Sequence, residues 1–82
     1  MLTLEAIQNF SPIGLDLNEL YIVEMEAEEV EMNHYAQLGE IEEKEEVTDE
    51  ENDFLVNEGS RLNAIFNKFH SKLSSAIELA SL

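Results

Sequence analysis

The chain of 82 residues has no cysteine, no tryptophan, one proline, three glycines and four lysines and arginines. Each shortage excludes something. Without thiolates there is no disulfide framework and no zinc ribbon. Two histidines, His34 and His70, lie far apart in sequence and are poor material for a metal site. Phosphate contacts rest on clustered Lys and Arg, so direct binding of DNA or RNA is not expected. No run approaches the roughly 20 apolar residues of a membrane span. Met1-Leu2-Thr3-Leu4-Glu5 lacks the positive start and the apolar stretch of a signal peptide. These absences predict a soluble, cytoplasmic protein without membrane contact. The length allows one small helical domain over residues 1–82, with a modest core.

What the chain has is negative charge. Nineteen acids face four bases, a net charge of −15. Residues 1–59 hold eighteen acids and one base, Lys44, which makes −17. Residues 60–82 set Arg61, Lys68 and Lys72 against Glu78, which makes +2. Such a body repels nucleic acid and anionic lipid and is drawn to basic surfaces.

Helical signals fill most of the sequence. Thr3 can cap a short helix over 3–10, with Leu4, Ile7 and Phe10 at helical spacing. Ser11-Pro12-Ile13-Gly14 ends it. Asp16, with Glu19 three residues on, can open a long helix over 16–46. Leu20, Val23, Ala27, Val30, His34, Leu38 and Ile41 recur at steps of three or four, which is one helix face. Glu24, Glu28, Glu31 and Glu42 lie away from it. A rival pattern is present: Tyr21, Val23, Met25 and Ala27 alternate with Glu24, Glu26 and Glu28, as in a strand. Ile22 breaks the alternation, and Glu, Met and Ala favour helix.

Residues 40–53 hold nine acids and one lysine. They read either as a solvated helix end or as an acidic surface. Thr48-Asp49-Glu50-Glu51 has capping-box spacing, and its acids suit the positive end of a helix dipole. A second long helix is predicted from 49 to about 80. Its stripe comprises Leu55, Leu62, Ile65, Phe66, Phe69, Leu73, Ala76, Ile77 and Ala80. Gly59 is either tolerated within it or a kink dividing 49–58 from 60–80. The fold class read from this is all-α: an antiparallel helical hairpin with a short N-terminal helix. The alternative is α+β with a strand near 21–32. The positive helix 60–80 is expected beside the acidic helix 16–38.

No chemical motif is present. There is no Gly-rich phosphate loop, HExxH, GxSxG or EF-hand pattern, and a short helical chain offers little concavity for catalysis. No enzyme, no catalytic residue, no cofactor and no metal site is expected. His34, on the apolar face, reads as a packed histidine satisfied by a neighbour; the sharper alternative is a pH switch. His70 reads as exposed.

Two candidate surfaces remain. The acidic one is Glu24, Glu28, Glu31, Glu42, Glu43, Glu45, Glu46, Asp49, Glu50 and Asp53. The apolar one, partner-binding or core, is Leu62, Ile65, Phe66, Phe69, Leu73 and Ile77. Small size with high acidic charge is similar to the DNA-mimic proteins of phages and mobile elements. The resemblance is compositional, covers no motif, and carries no residue over. It implies an inhibitor that presents carboxylates where a partner protein's basic surface expects phosphates. A small assembly chaperone or adaptor would instead hold a client helix on the apolar stripe. A structural subunit of a homo-oligomer or particle, or a homodimer, would use the small residues Ser71, Ser74, Ser75, Ala76, Ala80 and Ser81 for close packing. Identical subunits at −15 repel, which opposes that use.

Overall fold

A computed structural model describes residues 2–82. The local signals at the helix starts are realised as hydrogen bonds. Thr3 Oγ1 accepts from the Ala6 N–H at 3.1 Å and opens α1, Leu4–Gln8. Pro12 to Leu15 form a turn in which the Leu15 N–H donates to the Pro12 carbonyl at 3.2 Å. Gly14 sits there at φ +83°, a left-handed conformation that glycine adopts without a Cβ clash. The Glu19 N–H then donates to Asp16 Oδ1 at 2.8 Å, and the Asp16 N–H to Glu19 Oε1 at 3.4 Å. This box opens α2, Leu17–Glu42. Thr48 and Glu51 form the same reciprocal pair and open α3, Asp49–Ala80.

The two long helices pack against each other, and the fold is an all-α helical hairpin. α1 folds onto α3. The rod measures 51 × 18 × 17 Å, and α3, 32 residues long, spans about 48 Å of it at ~1.5 Å per residue.

Three sequence expectations are corrected. Residues 21–32 are helical throughout, so the strand alternative fails. Tyr21 and Met25, which suggested a strand, are exposed on α2, as is Ile22, which broke the alternation. α2 also stops at Glu42 instead of 46. Glu42, Glu43, Glu45 and Glu46 would stack carboxylates on the negative end of the helix dipole, and the last turn holds no basic residue to offset them. Finally, α3 runs unbroken through Gly59, so the division into 49–58 and 60–80 does not occur.

The core is built at the α1 end. Ile7, Phe10, Leu20, Ala27, Leu62, Phe66, Phe69 and Leu73 are buried together. Phe10 meets Phe69 edge-on, with ring centres 4.9 Å apart and planes at 70°, a favoured aromatic geometry. Val23, Val30, Leu38, Ile65 and Ile77 pack around this cluster, half-buried. No described residue between Glu28 and Arg61 is buried. From Ala27 to the end of α2 the hairpin extends about 22 Å without a fully buried side chain.

Candidate protein-binding surface

The ten candidate carboxylates fall into two groups. Glu24, Glu28 and Glu31 line a groove between α2 and α3 with Tyr21, His70, Leu73, Ser74 and Ile77. The other seven ring the hairpin tip, all exposed, with Glu42 beside Val47, Asn52, Leu55 and Val56. Glu31 differs from the rest. It is partly covered, and its Oε2 lies 2.9 Å from His70 Nε2. This polar contact ties α2 to α3, so Glu31 holds the hairpin as well as facing the groove. His70 is half-exposed, in keeping with its sequence reading. His34 is half-buried beside Val30 and Leu4; no hydrogen bond to its ring is made among the described residues, but it lies close enough to Glu58 of α3 to contribute to the lowering of that carboxyl.

The bases are used locally. Lys44 Nζ lies 2.7 Å from Glu51 Oε2, and this pair clasps the loop between α2 and α3. The Lys44 ammonium holds the Glu51 carboxyl below the usual carboxylate range, with a further contribution from the Thr48 N–H. Arg61 grips both oxygens of Glu58 one turn away, lowering the Glu58 carboxyl and raising its own guanidinium. Lys68 and Lys72 line a groove with Ile7, Gln8 and Ile65, on the α1 side. The positive stretch 60–80 is the second part of α3, which packs beside the acidic α2, but none of its lysines or arginines forms a salt bridge to α2 among the described residues.

The apolar candidates are mostly internal. Leu62, Phe66, Phe69 and Leu73 are buried, and Ile65 and Ile77 are half-buried at the edge of the same cluster. α1 and α2 cover the stripe that a client helix would need.

Two features were missed in the sequence. Glu26 and Glu29 are exposed on the far side of α2, lining a groove with Leu2, Leu4 and Val30. Acids therefore flank α2 on both sides. A second apolar stripe also runs along its outside: Ile22 is 55% exposed, Met25 69% and Met32 66%, with Ala36 exposed one turn further. Their spacing of three, seven and four was the signal available, but the alternation with glutamates masked it.

Among the described residues no group of three His, Asp or Glu side chains could hold a metal ion, and no helix is long and apolar enough to cross a membrane. No family model, curated protein or solved structure matches the chain.

Proposed function

We propose that the chain is a non-catalytic binding protein whose carboxylates occupy a basic, nucleic-acid-binding surface of a partner protein and so inhibit it. The observation that carries this reading is the density of charge on a narrow rod. Fifteen net charges along 51 Å come to one per about 3.4 Å. B-DNA carries one phosphate per about 3.4 Å on each strand and one per about 1.7 Å over the whole duplex, so the rod matches a single strand and has about half the duplex's density. In water, two unit charges interact by the thermal energy at about 7 Å. Charges spaced more closely than that hold counterions near the rod, as DNA does. A basic partner that displaces them gains the same release of ions that drives its binding to nucleic acid.

Two arrangements support a mimic over the other readings. The carboxylates ring the exposed tip and both flanks of α2, where a concave basic surface can enclose them. The apolar stripe of α3, on which an adaptor would depend, is taken up by the hairpin's own core.

The test is capture and release. The protein is immobilised and offered a cell extract at low salt, and the bound proteins are challenged separately with high salt and with duplex DNA. Nucleic-acid-binding proteins released by both treatments support the reading. Partners that withstand salt, or that DNA fails to displace, refute it. The matching variant is Glu24→Lys, Glu28→Lys and Glu42→Lys together. Glu31 is left in place because it also pairs with His70. This triple variant should lose capture while keeping its helicity.

A further inference from the structure

α2 is apolar on two faces. Leu20, Ala27 and Val30 turn toward the core. Ile22, Met25, Met32 and Ala36 are exposed. At ~100° per residue these four fall within an arc of about 80° on the opposite side of the helix. Nothing in the hairpin covers them. They extend about 21 Å, close to four helical turns. Glu24 and Glu28 run along one edge of the stripe, and Glu26 and Glu40 along the other, all exposed. Glu29 stands inside it, four residues after Met25 and three before Met32, also exposed.

We propose that this outer face of α2 is the docking surface for a cationic amphipathic helix of the partner protein. The inference rests on the reading above and narrows the basic surface to one kind of element. Exposed apolar residues at steps of three and four are the pattern by which a helix face takes the anchors of a second helix. Methionine suits such a face, because its unbranched thioether adapts to the shape of its guest. The carboxylates choose the guest. A second copy of this chain would set the same glutamates against each other, and an anionic lipid surface would be repelled by them. A helix with an apolar stripe between rows of Lys and Arg satisfies both parts at once. Its apolar residues cover Ile22, Met25, Met32 and Ala36, and its cations meet the glutamates on both edges. Glu29, between Met25 and Met32 along the stripe and beside Glu26, calls for a cation on the guest at that level and so sets the register of the pair, as a polar residue does in a coiled-coil seam.

Fluorescence anisotropy with the full 82-residue protein tests this. Three labelled peptides serve as probes: a helical Lys/Leu heptad peptide, a scramble of the same composition, and the heptad peptide with Gln for Lys. The protein variant is Met25→Glu with Met32→Glu. Both positions are exposed, so the fold should survive, and circular dichroism checks it. The variant is also more acidic, so any loss of binding to a cation cannot come from weakened attraction. The expected result is that the scramble, the neutral peptide and the variant each bind at least about tenfold more weakly than the heptad peptide binds the parent. Equal binding of heptad and scramble overturns the inference while leaving the charge-mimic reading standing. Failure of every cationic peptide to bind at low salt overturns both. Equal binding of the neutral peptide shows that charge does not select the guest, and undiminished binding by the variant places the guest elsewhere. A dimer of the parent protein that the variant abolishes assigns the face to a second copy. Each of these three overturns the inference.

Discussion

Replacing Gly59 with alanine should make the protein more stable. Gly59 lies inside α3, ten residues from its start, and a Cβ built there meets no heavy atom within 4 Å. Glycine in a helix interior costs roughly 1 kcal/mol relative to alanine, mostly through the freedom it gives the unfolded chain. With no contact to offset that gain, Gly59→Ala should stabilise by roughly 1 kcal/mol. The unfolding entropy of a chain this size, at about 2.1 cal/mol/K per residue, is about 170 cal/mol/K. The midpoint should therefore rise by about 6 °C. Thermal melts followed by far-ultraviolet circular dichroism measure this, run at two protein concentrations to separate folding from association. Urea titration should show the same gain with an unchanged slope. A fall in the midpoint would mean that the added methyl is strained, and hence that α3 bends at Gly59 or presses against α2 there. An unchanged midpoint would mean that residues near Gly59 are not helical in solution.

Four other perturbations probe the rest of the hairpin. Phe69→Ala empties a site that is 1% exposed and removes the edge-on partner of Phe10; it should cost about 3–5 kcal/mol, much of the total of about 4–12 expected for this length, and a loss near zero in urea would place Phe69 outside the core. Thr48→Ala breaks the box at the start of α3 and should cost about 1 kcal/mol in the same assay; no loss would show that the box is unformed in solution. The lowered carboxyls of Glu51 and Glu58 give a stabilisation that is present above the ordinary carboxylate range and lost as pH falls through their depressed values; Lys44→Ala should return Glu51 toward the ordinary range in a carboxyl-carbon NMR titration, and an unmoved titration refutes the clasp. Added salt should raise the thermal midpoint, because screening relieves self-repulsion at −15; a fall would mean that the Lys44–Glu51 and Arg61–Glu58 ion pairs outweigh that repulsion.

What the sequence made legible was local. The caps at Thr3, Asp16 and Thr48 each depend on residues three apart, and all three form as read. The core faces of both long helices were legible for the same reason, since helical periodicity reports a face without reference to its partner. Two things depended on more distant structure, and a third was hidden by overlapping local patterns. Glu31 meets His70 across 39 positions, and no local pattern marks that pairing. Lys68 and Lys72 turn to the α1 side, a choice that only the docking of α1 settles. The outer stripe was obscured because α2 carries apolar residues on two faces, and overlapping helical stripes weaken each other and imitate a strand at 21–27.

The one-sided placement of the core has a consequence for how the rod behaves as an object. At the α1 end, aromatic and aliphatic side chains from three helices lock the packing. Toward Glu42 the two helices are held by half-buried contacts and the Lys44–Glu51 clasp. Backbone openings should therefore be frequent near the tip and rare near Phe69, a gradient of rigidity along a single continuous helix. The end with the densest carboxylates is then also the most pliable. Its charges can shift to match the spacing of cations on whatever surface they meet, while the anchored end keeps the chain folded.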